Sequence, residues 1–306
     1  MRKTNIIFTA ILAGILCLPA CKKNETQEDT PSLSGLTITE AVPYVAKGET
    51  IVIKANTGGI STTNHSTPGT IGIYWQVNKA AKDTLSRDIK NSNPEFKYRV
   101  DTLGSYSITC YIYAEGYYNS SSVTSFMAID PATSLTGLAP GESATIGGRQ
   151  WKTMNLNNPA SGVSYKKAAV TDPLFGRLYT WEEASSACPS GWHLPSAEEW
   201  DALGQDASPL MAPAKFQDLD MWEPALGQNI TNSTGFNALP VGYLDNSASV
   251  DKFRRHGEMA AFWTSSDAAS DASLAQFRYI LFDNPSIMKG NGSKTSLALS
   301  VRCIKD

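Results

Sequence analysis

Apolar and polar residues alternate one by one through the first half of the chain. Ile71, Ile73, Trp75 and Val77 take turns with Gly72, Tyr74 and Gln76. Tyr106, Ile108, Cys110 and Ile112 repeat the pattern after the turn Leu103-Gly104-Ser105. A period of two points one set of side chains at a core and the other at water, as in a half-buried strand. The same reasoning predicts strands at Leu36–Thr39, Thr50–Ala55, Glu95–Val100 and Ser122–Ile129, parted by Gly-, Asn- and Pro-rich turns such as Asn56–Gly59 and His65–Gly69. About seven short strands over residues 35–130 predict an all-β, immunoglobulin-like sandwich. Trp75 and Cys110 then face its core, with Cys110 an inert buried thiol.

The pattern changes at Asp130-Pro131. Residues 131–140 read as a linker, and residues 141–306 mix helical and strand signals. Thr180-Trp-Glu-Glu183 and Ser196-Ala-Glu-Glu199 are capping boxes. In such a box the hydroxyl of the first residue and the carboxylate of the fourth satisfy each other's backbone N–H, so each starts a short helix. Ala144 to Trp151 predicts a hairpin about Gly147-Gly148. Gln276–Phe282 and Leu297–Ile304 alternate as strands, the latter with Leu297, Leu299, Val301 and Cys303 on its core face.

Ahead of the sandwich the chain has another character. Arg2 and Lys3 precede an apolar run, Ile6 to Leu18, and Leu18-Pro19-Ala20-Cys21 follows it. The run falls short of the roughly 20 apolar residues that span a bilayer. This segment resembles a bacterial lipoprotein signal, which implies removal of residues 1–20, acylation of Cys21 and anchoring at the outer membrane, with display at the cell surface open. Residues 21–34 are polar and aperiodic and read as a flexible tether. Its Glu25, Glu28 and Asp29 resemble short acidic export signals of some surface lipoproteins.

Charge narrows the partners. The formal net charge is −3, loss of Arg2 and Lys3 makes it more acidic, and no basic stripe remains, which argues against nucleic acid. The five cysteines include Cys17 and Cys21 near the amino terminus. Cys110, Cys188 and Cys303 lack the close pairing of a zinc site, so no metal and no cofactor is expected. Outside the cytoplasm, one disulfide and one buried thiol is the natural use of these three.

Several blocks are then familiar together. Trp151-Lys-Thr-Met-Asn-Leu156, Gly176-Arg-Leu-Tyr-Thr-Trp181 and Cys188-Pro-Ser-Gly-Trp-His-Leu-Pro-Ser-Ala-Glu-Glu-Trp200 come first. Thr234-Gly-Phe-Asn-Ala-Leu-Pro-Val-Gly-Tyr243, Phe262-Trp-Thr-Ser-Ser266 and Ser300-Val-Arg-Cys-Ile-Lys-Asp306 follow. In this order they resemble the Fibrobacter succinogenes major paralogous domain. The resemblance implies an α+β, C-type-lectin-like fold for residues 141–306, distantly similar to formylglycine-generating enzymes. With the extracytoplasmic setting it also implies a Cys188–Cys303 disulfide. In the sandwich, Gly104-Ser-Tyr-Ser-Ile-Thr-Cys110 resembles a strand of PKD-type immunoglobulin-like modules.

Candidate chemistry is sparse. His193 lacks a Ser, Cys or second His at readable spacing and reads as a packed residue. Glu183 and Glu199 have capping tasks, and neighbouring helix positions point apart, which disfavours a glycosidase pair. Formylglycine-type oxidation needs reactive thiols that a Cys188–Cys303 bridge would consume. Trp222-Glu-Pro-Ala225 lacks the third residue of a lectin calcium motif. Trp222, Tyr243, Phe262 and Trp263 lie in loop-rich segments, where rings stack on sugars or peptides unless they fill the core. The sequence therefore sets up a lipid-anchored surface protein with a non-catalytic binding or adhesion role, its ligand a glycan or surface protein. An accessory subunit of a surface fibre and an enzyme with a site in the C-terminal loops are the alternatives.

Overall fold

The computed structural model describes residues 30–79, 94–250 and 252–306, and the backbone of residues 87–90. Residues 1–29, on which the expected lipoprotein signal, Cys21 and most of the expected tether fall, lie outside the described residues. Among the described residues no helix is long and apolar enough to cross a membrane.

The alternating strands build the expected sandwich. One sheet of five strands runs in the order Tyr44–Ala46, Ser120–Ile129, Gly104–Tyr113, Gly72–Lys79, Arg87–Lys90. The other joins Thr37–Ile38, Thr50–Asn56 and Glu95–Arg99. Neighbours are antiparallel except at the edge, where Tyr44–Ala46 runs parallel to Met127–Ile129. Ile73, Trp75, Val77, Ile108, Cys110 and Ile112 are buried against Ile53 and Phe96 of the facing sheet. Trp75 stacks on Phe96 with ring centres 5.2 Å apart. Burial pushes the Cys110 thiol up to about 11, so it stays protonated as an apolar side chain would.

The sandwich continues into the second half through a shared core. Ile129, Met127 and Tyr44 pack in one cluster with Tyr165, Leu174, Phe175 and Phe216. The Tyr44 ring lies 5.9 Å from Phe216 and 6.1 Å from Tyr165. Residues 131–140, expected as a linker, are built into this join: Leu135–Thr136 pairs antiparallel with Lys215–Phe216. Leu135 and Leu138 enter the same cluster.

Sheet dominates the C-terminal half as well, and the helices Asp172–Phe175, Trp181–Ala187 and Ala197–Asp201 are short. Both capping boxes form. The Thr180 N–H donates to Glu183 at 2.8 Å and the Ser196 N–H to Glu199 at 2.9 Å. Ser143–Ile146 and Arg149–Lys152 make the hairpin about Gly147-Gly148, and Ile304–Lys305 lies between that hairpin and Trp192–His193. Met259–Asp267, Leu274–Leu281 and Met288–Ser293 form an antiparallel sheet. Sequence periodicity gave no sign of the first of these strands. It is buried on both faces over Met259–Thr264, so it reads as a plain apolar run instead of an alternation.

The same physics corrects the reading of the last strand. Leu299, Val301 and Cys303 do share one core, but Ser300, Arg302 and Ile304 on the opposite side are buried too. The segment is no continuous strand, pairing only at Leu297–Ala298 and Ile304–Lys305 and through isolated bridges at Leu299 and Ser300. The Cys188–Cys303 disulfide is present, its Cα atoms 5.9 Å apart and 115 residues apart in sequence. Closing so long a loop removes unfolded-state entropy equivalent to about 4.7 kcal/mol at most.

Arg302 is fully buried with no carboxylate near it. Its guanidinium donates to the Phe236 and Asn237 carbonyls, to the Lys152 carbonyl at 3.2 Å and to Asn155 Oδ1 at 2.7 Å. It also lies 4.2 Å from the Phe236 ring centre. Burial pulls its pKa down to about 9, so the cation persists at neutral pH. Arg302→Met should therefore strand these acceptors in an apolar core and lower stability by about 3–5 kcal/mol in urea unfolding. A loss below about 1 kcal/mol would remove the network's structural role.

Candidate functional site

The predicted aromatic residues do not share one surface. Trp263, Phe262 and Trp222 are 0%, 1% and 4% exposed. Trp222 donates its indole N–H to the Ala212 carbonyl at 3.1 Å, and Trp263 donates to the Tyr179 carbonyl at 2.8 Å. Their rings are core, so the expectation that all four residues form a binding platform is corrected. Phe262 and Trp263 sit side by side on a strand with a core on each face, which leaves neither ring a way to solvent. Trp222 lies in the core shared by Trp151, Trp200 and Phe236.

Tyr243 is the exception, and it has companions that the sequence did not single out. On Leu274–Leu281, Phe277, Tyr279 and Leu281 are half-buried while Arg278 and Ile280 are buried. Tyr279 and Phe277 lie 5.5 Å apart, tilted by 39°. With Tyr243, Asp245, Arg255 and Asn291 they line a groove of about 340 Å³ floored by Leu297 and Leu299.

Local backbone chemistry makes this groove. Gly242 has φ +74°, and a Cβ there would lie 1.9 Å from the Arg254 carbonyl oxygen. Only glycine lets the chain turn so tightly into Tyr243–Asp245. That strand buries Leu244 and turns Tyr243 and Asp245 outward. Across the sheet Phe277 pairs with Gly290, where a Cβ would meet the Phe277 ring at 2.4 Å. The bare glycine lets the ring lie over the edge strand, a glycine–aromatic pairing that period-two reading does not register.

The rim is polar and charged. Asp245 accepts from the Ser247 N–H at 2.9 Å and its hydroxyl at 2.5 Å, which holds its carboxyl below its ordinary pKa. Arg255 pairs with Glu258 at 3.1 Å. Among the described residues, neither the Tyr243 nor the Tyr279 hydroxyl has a hydrogen-bond partner. Two ring faces, two open phenol groups and an arginine thus border one shallow surface. A smaller depression of about 200 Å³ at Asp206 and Asn284 differs in having one aromatic ring, Phe282, in its lining.

His193 lies elsewhere, in a cluster of ion pairs. Its Nδ1 is 2.7 Å from Asp306 Oδ1, and its Nε2 is 3.2 Å from both Glu199 oxygens. Glu199 also receives Arg149 at 2.9 Å and closes the Ser196 capping box. The cluster ties a helix start to the terminal strand. Both ring nitrogens are held by carboxylates, so neither is free to take a proton from a nucleophile. Among the described residues no group of three or more His, Cys, Asp or Glu is arranged to hold a metal.

The molecule is thus a two-part β-rich protein, a sandwich joined through a shared core to a disulfide-clamped domain with an aromatic groove. The chain belongs to the Fibrobacter succinogenes major domain family, whose profile matches residues 137–305. No curated protein sequence matches it significantly. Among solved structures it is similar to three N-terminal domains of the bacteriophage RB49 highly immunogenic outer capsid protein, at 17% identity and TM-score 0.24 over 42% of this chain. That alignment spans only 37% of the capsid chain. A second is the PKD domain of the human receptor SorCS2, at 12% identity and TM-score 0.22 over 40% of this chain and 97% of that one. A third is the Yersinia pseudotuberculosis adhesin InvE, at 11% identity and TM-score 0.28 over 89% of this chain and 70% of that one. At such scores these likenesses carry no argument about this chain.

Burial by itself lowers the His193 pKa, but hydrogen bonds and charges from Asp306 and Glu199 outweigh it and raise the value above its ordinary one. The ion pairs then stabilise the fold in full below about pH 6.5 and fade as pH rises through the higher folded value. NMR titration should place His193 above about 6.5, with Glu199→Gln and Asp306→Asn each lowering it. An unshifted imidazole would contradict the cluster.

Proposed function

We propose that this chain is a lipid-anchored surface protein that binds carbohydrate without chemistry. Cys21 carries the acyl chains at the outer membrane, the tether and the PKD-like sandwich act as a stalk, and a C-type-lectin-like domain presents the groove. The observation that carries this reading is the pairing of Tyr243 and Tyr279 across one groove, hydroxyls open, beside Arg255. Pyranose rings offer an apolar C–H face for such rings and hydroxyls for the polar rim. The lipoprotein-like segment at Ile6–Cys21 supports the anchor, since acyl chains contribute about 0.8 kcal/mol per buried CH₂.

The fibre-subunit alternative has less behind it. Strand addition needs an open, flat edge. The edge strand Glu95–Arg99 instead carries Glu95 between Lys54 and Lys97, at 3.5 and 3.2 Å.

A glycan array probed with the full chain should give saturable binding that is unchanged by chelator. Tyr279→Ala and Tyr243→Ala should abolish it, and Tyr243→Phe and Tyr279→Phe, which keep the half-buried rings packed, should weaken it while leaving thermal unfolding within a few degrees of the parent. Binding that survives both alanine substitutions, or no glycan binding at all, would overturn the reading. Cys21→Ala should move the protein from the membrane fraction to the soluble one, and unchanged membrane association would remove the anchor.

A further inference from the structure

One backbone outlier stands at the Tyr243–Tyr279 groove. Among the described residues, eight that are not glycine have positive φ, and of these Arg255, at +57°, lines the groove. The left-handed region is unfavourable for a side chain with a Cβ, so a residue stays there only when its surroundings hold it. Here both flanks are fixed. The Arg254 carbonyl sits against Gly242, where a Cβ would lie 1.9 Å from its oxygen. The Gly257 N–H donates to the Pro240 carbonyl at 2.8 Å, and the Arg255 carbonyl accepts from the Glu258 and Met259 N–H groups at 3.1 Å. Glycine would meet this geometry without strain. The chain places an arginine there instead, and strained positions of this kind gather where a side chain has a binding task.

The fold itself makes little use of that arginine. Its side chain is 43% exposed, and among the described residues its guanidinium has one partner, Glu258 at 3.1 Å. A guanidinium carries five N–H donors in a planar fork, so most of them remain open. Asp245 puts a carboxylate on the same groove, and its bonds from Ser247 keep it ionised at neutral pH.

The charges around the groove balance. Arg255 has Glu258 beside it, and Arg254 lies close enough to Asp245 to favour the ionised carboxyl. The groove therefore offers directed donors and acceptors without a large field of one sign.

Resting on the carbohydrate reading of this groove, we propose that Arg255 sets its specificity and that the ligand is a neutral oligosaccharide. The open guanidinium N–H groups donate to sugar hydroxyls, while Asp245 turns away uronate and sulfated chains. Discrimination of this kind takes a repulsive group as well as an attractive one. Two anions held together in one small groove repel more strongly than they do in bulk water.

The test is a glycan array that carries each oligosaccharide in neutral, uronate and sulfated forms, probed with the full chain. Neutral members should be held about tenfold more tightly than their acidic counterparts, and Asp245→Asn should narrow that gap. Arg255→Gly removes the guanidinium but suits the positive φ, so it should melt within a few degrees of the parent and lose about tenfold in affinity. Arg255→Lys keeps the charge without the fork and should bind no better than the glycine variant. Acidic members held as tightly as neutral ones, or affinity unchanged in Arg255→Gly, would overturn the proposal; if Tyr279→Ala still abolished binding, the carbohydrate reading would stand. An array blank in every form would overturn both.

Discussion

A single buried cation organises the C-terminal half. Arg302 has no acid to neutralise it; its two terminal NH2 groups are met by carbonyls from segments far apart in the chain, while its buried Nε has no partner among the described residues. Lys152 ends the domain's first hairpin and Asn155 lies just beyond it, whereas Phe236 and Asn237 belong to a loop in its middle. Without these carbonyls the charge would stand unsolvated in an apolar core, which is a large penalty. Asn155 and Asn237 extend the network, Asn155 donating to the Phe175 carbonyl at 2.9 Å and Asn237 to the Ala139 carbonyl at 3.0 Å. The neighbouring residue, Cys303, fixes the same segment covalently to the end of the Trp181–Ala187 helix.

The groove depends on this arrangement. The sheet that carries Phe277 and Tyr279 has one face on the core around Phe262 and Trp200, and the other on the core around Trp263, Val301 and Cys303. Arg278 contrasts with Arg302, since it has Asp201 as a counter-ion at 3.0 Å and so pins the sheet to the Ala197–Asp201 helix. Between these two arginines the sheet is held on both sides, and the half-buried rings at its rim need not move to meet a ligand. Such preorganisation lowers the entropic cost of binding.

Much of this was legible in the sequence, for reasons that differ by region. The sandwich alternates because one face of each strand meets water, and six of its strands fell within a residue or two of their predicted positions, whereas Tyr44–Ala46 and Arg87–Lys90 were not foreseen. Capping boxes and the Gly147-Gly148 hairpin were legible because local hydrogen bonds and positive φ select their residues. The Met259–Asp267 strand and the burial of Arg302 were hidden, because a segment covered on both faces has no periodicity and a buried cation resembles a surface one in a string of letters. The groove was half visible. Tyr243 stood in a recognisable block, whereas Phe277 and Tyr279 came from an alternating strand whose partly exposed face looked like any other. Trp222, Phe262 and Trp263 were aromatic without being accessible, a distinction that only the packing supplies.

The most direct test of the account is a map of where a saccharide touches the folded chain. Amide and side-chain NMR shifts should be followed while the full chain is titrated with a neutral oligosaccharide that it retains on an array. The account predicts that perturbations concentrate at Tyr243, Tyr279, Phe277 and Asn291, with Trp263 and Phe262 shifting little because their rings stay within the core. Perturbations centred on another face, with Tyr279 unmoved at saturation, would contradict it.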